Sequence, residues 1–337
     1  MHETTIQFNP QHTETEIKEM MDAAQITRPG VVAIKSVKTP EPGPQQLLIQ
    51  LEGCGVCASS LPVFEGREWF EYPYSPGAPG HEGWGTVVAI GKDADPQWIG
   101  KKVTFLGYHS FASYDLAEQT QVAEIPESLD ASEVPGEALG CAFNIARRTD
   151  AKPGDTVAIV GMGFLGNLLT QILANQGIEV IAISRREYVL RKAQESGAAH
   201  AVKMDDHWRI IDEIKNITNQ RLCDKVIEAV GLQWPLDLAG ELVAEGGKLI
   251  IAGFHQDGLR NVNMQMWNWK GIDVINAHER KPETYISGMK TAINALFKEE
   301  IAPQNIYTIY SGLENIQKAF DDLKKRPDGF IKGIVKF

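Results

Sequence analysis

Three short stretches of the chain carry side chains that bind transition metals. Gly53-Cys54-Gly55-Val56-Cys57 offers two thiols, and Gly80-His81-Glu82-Gly83 an imidazole and a carboxylate. Gly136-Glu137-Ala138-Leu139-Gly140-Cys141 adds a carboxylate and a thiol. A catalytic zinc takes three protein ligands from N, S and O donors and keeps a further position open for water or substrate. Each fragment alone is weak. The Cys54-x-x-Cys57 pair has no second pair to complete a zinc ribbon, and no βαβ thioredoxin context that would make it a redox dithiol. An isolated His-Glu pair is, in most proteins, simply solvated.

A second kind of chemistry is written at Val157-Ala158-Ile159-Val160-Gly161-Met162-Gly163-Phe164-Leu165-Gly166. This is G-x-G-x-x-G after an apolar strand and before a helix that Phe164 and Leu165 open. Gly161 permits the tight turn, Gly163 lets backbone approach a pyrophosphate, and Gly166 lets helix pack on strand. The helix N-terminus turns unpaired N–H groups toward the phosphates. The end of the next strand ordinarily supplies an acid for the adenosine ribose. Here it reads Ile183-Ser184-Arg185-Arg186. Guanidinium groups bind phosphate through forked, charge-assisted hydrogen bonds, so Ser184, Arg185 and Arg186 point to NADP rather than NAD.

These groups need a scaffold, and the chain has two grammars. From about Ala24 to Pro126, short β-runs such as Val31–Ile34, Gln46–Leu51, Gly85–Ile90 and Lys102–Leu106 are punctuated by Gly and Pro. That pattern predicts a mostly antiparallel β-unit. From about Thr156 to His278, buried strands alternate with helical segments. The strands are expected at Thr156–Val160, Glu179–Ser184, Lys225–Val230, Lys248–Gly253 and Asp273–His278, with a shorter one near Ala199–Val202. Continuous apolar strands alternating with helices imply an α/β fold, a parallel sheet covered on both faces. The tail predicts two helical segments and a last strand, Ile331–Phe337, that rejoins the first sheet. The expected division is 1–20 as an N-terminal extension, 21–145 with 281–337 as one domain, and 146–280 as the other.

Composition bounds the partners. The 337 residues carry a net charge of −11, which disfavours nucleic acid and anionic membrane. There is no apolar run long enough for a membrane span and no apolar core for a secretory signal. Four cysteines make no disulfide framework, so a reducing cytoplasm is expected.

Taken in order, the motifs are similar to those of a known family. Cys57-Ala58-Ser59-Ser60, Gly80-His81-Glu82, Glu137-Ala138-Leu139, Gly161–Gly166 and a closing Asp328-Gly329-Phe330-Ile331-Lys332-Gly333 resemble the zinc-dependent medium-chain dehydrogenase/reductase superfamily. The resemblance runs from about Met21 to Phe337. The Glu137 motif, 24 residues before Gly161, looks most like the sorbitol and polyol dehydrogenase branch.

The resemblance implies a GroES-like catalytic domain joined to a doubly wound Rossmann domain, with the site in the cleft between them. It implies Cys57 and His81 as zinc ligands and Glu137 at the third-ligand position. Glu82 becomes an alternating ligand or an anchor behind the ligands. Cys141, one helical turn after Glu137, is a second candidate ligand or a thiol lining the nicotinamide site. Ser59 keeps the hydroxyl that passes the proton, with Glu82, a water or the ribose hydroxyl as the next carrier. Cys54 and Cys223 are expected to pack as buried hydrophobes.

The chain also departs from the family. Ser60 stands where an Asp is usual, Pro62 where simple alcohol dehydrogenases carry a histidine shuttle, and the four-cysteine structural-zinc loop is missing. One zinc per chain is therefore expected. The implied reaction is hydride transfer between NADP(H) and a secondary alcohol, polyol or sugar, or the matching carbonyl. The alternatives are a metal-free NADPH reductase of enones or quinones and a non-catalytic NADPH-binding relative. Trp69, Phe70, Tyr108 and His109 are candidate pocket residues, whereas Trp267 and Trp269 fit core or interface packing better. His278 has no assigned part. A homodimer or homotetramer is expected by analogy, with Asp273–His278 able to extend its sheet across a dimer.

Overall fold

The computed structural model describes residues 17–337. Runs rich in Val, Ile and Leu form the strands, because such side chains suit a pleated, half-buried surface. The strands before the glycine loop are β1 (Met20–Arg28), β2 (Val31–Lys38), β3 (Gln46–Val56), β4 (Glu82–Ile90), β5 (Lys102–Phe105), β6 (Tyr114–Glu118) and β7 (Val122–Glu124). Next come β8 (Thr156–Val160), β9 (Glu179–Ser184), β10 (His200–Lys203), β11 (Cys223–Glu228), β12 (Val243–Ile251) and β13 (Asp273–Asn276). The chain closes with β14 (Tyr307–Ser311) and β15 (Lys332–Lys336). The helices are α1 (Leu61–Glu65), α2 (Gly136–Thr149), α3 (Phe164–Asn175), α4 (Glu187–Glu195) and α5 (His207–Ile217). They continue with α6 (Gln233–Leu242), α7 (Met264–Lys270), α8 (Pro282–Phe297) and α9 (Ile316–Lys325).

The chain divides into two units. The first holds the residues up to Gly140 together with Lys281–Phe297 and Tyr307–Phe337. Its main sheet runs β14-β15-β3-β4-β5-β7, with β6 also on β3. The terminal strand does rejoin this sheet, pairing antiparallel with β3 from Gly333 opposite Val56 to Lys336 opposite Gly53. β14, a strand that the sequence pattern does not predict, lies parallel to β15. Its Tyr-Thr-Ile-Tyr-Ser run is too short to announce itself between helical segments.

The expected 1–20 extension needs correction at its end. Ile17 packs on the Leu48, Ala89 and Tyr114 cluster, Thr39 bonds to the backbone of Lys18 and Glu19, and β1 already begins at Met20. The remainder of that segment lies outside the described residues. The core of this unit includes Phe64 stacked on Phe320 at 4.8 Å, with Cys54 fully buried beside Ile26, Val56 and Val335.

The second unit holds Cys141–Arg280 and Lys298–Ile306. The boundary thus falls inside α2, after Gly140 rather than at 145, and a short segment following α8 returns to this unit. Gln171 accepts a 2.8 Å hydrogen bond from the Ala302 N–H there, and Asn175 donates to the Glu300 carbonyl. The sheet is wholly parallel, in the order β10-β9-β8-β11-β12-β13. Renumbered from its first strand this is 3-2-1-4-5-6, the doubly wound dinucleotide-binding order, whose crevice opens between β8 and β11. Every residue of β8 is buried, as a central strand covered on both faces requires. Cys223 and Trp267 belong to the core, while Trp269 on the same helix is exposed. No described helix is long and apolar enough to cross a membrane.

Candidate active site

The register of β3 against β4 assembles the first site. Gly55 faces Glu82 across the pair, so the chain leaving β3 at Cys57 meets the chain entering β4 at His81. One potential ligand atom each from Cys57, His81 and Glu82 lies within 4.8 Å of the others. Gly55 is required here, because a Cβ at that position would fall 1.9 Å from Glu82 Oε2. The carboxylate occupies the space a side chain would need.

His81 Nδ1 lies 2.9 Å from the carbonyl of Pro79. A carbonyl can only accept, so Nδ1 carries a proton and Nε2 is the nitrogen turned toward Cys57 and Ser59, the one a metal would bind in exchange for its proton. Ser59 Oγ lies 3.5 Å from that nitrogen and donates to Cys57 Sγ at 3.2 Å. Ser60, standing where the family has Asp, turns its hydroxyl to the same Pro79 carbonyl at 3.4 Å. A backbone oxygen thus orients the imidazole in place of a carboxylate.

The electrostatics favour a cation. Burial works against the charged form of His81, yet the hydrogen bond and charge of Cys57 and the charges of Glu137 and Glu82 push its pKa up to about 10. Glu82, itself buried, accepts a 2.6 Å hydrogen bond at Oε1 from Lys332 Nζ. Burial opposes the Lys332 charge, and Glu82, Cys57 and Glu137 outweigh it, holding the ammonium above its ordinary pKa. Glu82 Oε2 lies beside the same ammonium but has no hydrogen bond aligned on it. A buried carboxylate, a cysteine sulfur and an imidazole nitrogen within 4.8 Å of one another are a donor set that fits zinc. Glu137 occupies the first turn of α2, half-buried, and Cys141 follows one turn later in that helix. Glu137 stands outside the compact group while its charge acts on His81 and Lys332.

Lys332 is the site residue that sequence reasoning missed. The closing Asp328–Gly333 motif contains it, but nothing local indicates that β15 delivers an ammonium to Glu82.

The second unit presents the glycine loop as expected. Gly161, at φ +108°, turns the chain off β8, and a Cβ on Gly166 would fall 2.1 Å from the Gly161 carbonyl oxygen. A Cβ on Gly163, by contrast, would meet nothing within 4 Å. That open space at the N-cap of α3, behind Phe164 and Leu165, is the cradle a pyrophosphate would fill. Ser184 ends β9, Arg185 is exposed, and Arg186 caps α4.

An aromatic band lies on the loops of the first unit. Trp69 and Phe70 are 5.8 Å apart between ring centroids, and Phe70 meets Tyr74 edge-on at 6.1 Å. Tyr74 and Tyr108 share a 2.8 Å hydroxyl contact, and Tyr108 meets His109 at 5.8 Å. Trp69 is 57% exposed and Tyr108 46%. His278, in the second unit, bonds to the Gly253 carbonyl at 3.1 Å.

A β-unit bearing a Cys-His-Glu group and a doubly wound unit bearing a dinucleotide loop define a two-part dehydrogenase. Residues 43–127 match the family model for the alcohol dehydrogenase GroES-like domain and residues 165–294 that for zinc-binding dehydrogenases, together well over half the chain. The chain belongs to the zinc-dependent medium-chain dehydrogenase/reductase superfamily. It is 26% identical to the sorbitol dehydrogenase of Bacillus subtilis, over 90% of this chain and 94% of that one. Its fold matches a zinc-binding dehydrogenase of Sinorhizobium meliloti bound to NADP, with a TM-score of 0.81 at 24% identity over 95% of this chain and 100% of that one. It also matches a short chain alcohol dehydrogenase of Escherichia coli CFT073 complexed with NADH, with a TM-score of 0.84 at 21% identity over 95% and 100%.

Proposed function

We propose that the protein is a zinc-dependent oxidoreductase moving hydride between NADP(H) and a secondary alcohol, polyol or sugar, or the matching carbonyl. The observation that carries this is the Cys57–His81–Glu82 group, whose ligand atoms lie within 4.8 Å of one another. Its similarity to a sorbitol dehydrogenase supports the polyol class. Cys57 and His81 would hold the metal, with Glu137 or Glu82 completing the set and Cys141 a further candidate. When bound, zinc supplies a Lewis acid to the substrate oxygen and the nicotinamide exchanges hydride with the adjacent carbon.

The chain's own side chains do the rest. The Pro79 carbonyl fixes the orientation of the His81 ring, and Lys332 balances the charge of Glu82 and holds it beside Cys57 and His81. Ser59 Oγ, beside the ligand atoms, holds the proton that leaves or joins the substrate oxygen. Arg185 and Arg186 would take the 2′-phosphate, and the Trp69–Tyr108 band would cover the apolar face of a sugar or ring. β13, at the edge of its sheet with Val274 42% exposed, would extend across a homodimer.

The deciding experiment measures metal per chain by mass spectrometry on the purified protein and on Cys57→Ala, followed by NADP reduction with polyols and secondary alcohols. About one zinc per chain, lost in the variant, is expected. Protein purified without chelator and free of zinc would overturn the zinc mechanism in favour of a metal-free NADPH reductase.

A further inference from the structure

The carboxyl end of the parallel sheet contains a hydrogen-bonded network around a buried carboxylate with no counterpart in the functions assigned above. Glu228, the last residue of β11, is fully buried and pairs in register with Val160, the last residue of β8. Its Oε1 accepts hydrogen bonds from the N–H groups of Val230 and Gly231, both at 2.7 Å. Its Oε2 accepts from His255 Nε2 at 2.9 Å. Arg260 Nε lies 3.0 Å from His255 Nδ1, and a guanidinium can only donate. His255 is therefore the tautomer with its proton on Nε2, bonded at both nitrogens. Arg260 Nη2 closes the circuit on the Gly231 carbonyl at 2.9 Å.

The network grips two turns at once. Arg260 and His255 lie after β12, whereas Glu228 ends β11 and Val230 and Gly231 follow it. The packing leaves no slack: a Cβ on Gly253 would come 2.6 Å from Glu228 Oε2, and one on Gly231 2.5 Å from the Phe254 carbonyl oxygen. The gripped turn also touches the glycine loop, since a Cβ on Gly161 would fall 2.5 Å from Val230 Cγ2. It stands at the switch between β8 and β11, where doubly wound sheets bind their ligand. The β9–β10 side of that switch serves the adenosine half of a dinucleotide and the β11–β13 side the nicotinamide half.

We infer that His255 and Arg260 are positioning residues for the nicotinamide half of the cofactor, acting through Glu228 to hold the Val230–Gly231 turn against the glycine loop. This rests on the proposed dinucleotide binding. A buried carboxylate could be satisfied by the two backbone N–H groups alone. The imidazole and guanidinium add a rigid link to the β12 turn, so that the crevice wall is preformed before the cofactor arrives.

The test is equilibrium binding, followed by fluorescence, of NADPH and of adenosine 2′,5′-bisphosphate, which carries the adenosine half alone. His255→Leu leaves Glu228 Oε2 and Arg260 Nε without partners and is expected to weaken NADPH about tenfold or more. Binding of the bisphosphate should not change. His255→Gln, whose amide can donate to Glu228 and accept from Arg260, should restore NADPH affinity to within about threefold of wild type. Arg260→Ala should resemble His255→Leu. Equal weakening of both ligands would mean general damage and overturn the inference, as would wild-type NADPH affinity in His255→Leu or failure of Gln to rescue. Wild-type protein that binds neither NADPH nor NADH would instead remove the dinucleotide reading itself. If it takes NADH in preference, the 2′-phosphate assignment falls and the same comparison proceeds with NADH and AMP.

Discussion

Glu82 and Lys332 are 250 positions apart in the chain and joined by a 2.6 Å hydrogen bond, both side chains almost fully buried. Removing one partner of a buried ion pair leaves an uncompensated charge and costs roughly 3–5 kcal/mol. Lys332→Met should therefore lower unfolding free energy by about that amount in chelator-treated protein, measured by urea denaturation. Added zinc should recover part of the loss, because a metal at Cys57 and His81 would take over the Glu82 charge. Equal stability of variant and wild type would show that the pair is not what neutralises Glu82.

Gly55→Ala probes the same carboxylate from the other side. Its Cβ would stand 1.9 Å from Glu82 Oε2, so the carboxylate must move. Outer partners of metal ligands are worth about 10- to 100-fold in metal affinity. A loss in that range is expected in a zinc-chelator competition, with NADPH binding retained as the sign that the second unit is intact.

Ser59→Ala removes the hydroxyl that bonds to Cys57 Sγ at 3.2 Å and reaches toward His81 Nε2. Loss of a positioned proton carrier costs about 10²–10⁴-fold in rate. The expected outcome is a fall in kcat of that order with zinc content unchanged. A variant that loses zinc instead would make Ser59 a support for the ligands.

Arg185→Asp combined with Arg186→Ala places a carboxylate where a 2′-phosphate would sit. Charge-assisted hydrogen bonds contribute about 1.5–3 kcal/mol, so NADPH affinity should fall about 10- to 100-fold while NADH changes little. Equal loss of both cofactors would remove the role given to these arginines.

Much of this molecule is legible locally. β8, the glycine loop and α3 follow directly from an apolar run, three glycines and a helical pattern, because the residues that build that turn are contiguous in the chain. Cys57 and His81 are legible as residue types, and their partnership follows from the order of the motifs. What remains hidden depends on register. Lys332 is an ordinary lysine until β15 is known to pair with β3, and β14 shows itself only once that neighbour is in place. Likewise Glu228, His255 and Arg260 look like unrelated charges, since only the parallel pairing of β11 with β12 brings their turns together. Glu137 shows the limit in the other direction: its motif is clear, yet its carboxylate stands outside the compact group of ligand atoms.

The position of β15 also sets the order in which the protein can be completed on the ribosome. This last strand lies between β3 and β14 in its sheet, whereas the six-stranded sheet needs nothing beyond Asn276 to form its ladder. The nucleotide-binding sheet can thus be laid down while the earlier β-unit still waits for its final strand. Until those residues emerge, the Gly53–Val56 part of β3 lacks its partner and Glu82 lacks the Lys332 ammonium. A chain that lacked β15 would keep its glycine loop but leave Glu82 without its counter-charge, so the two parts of the proposed chemistry depend on segments that emerge at different times.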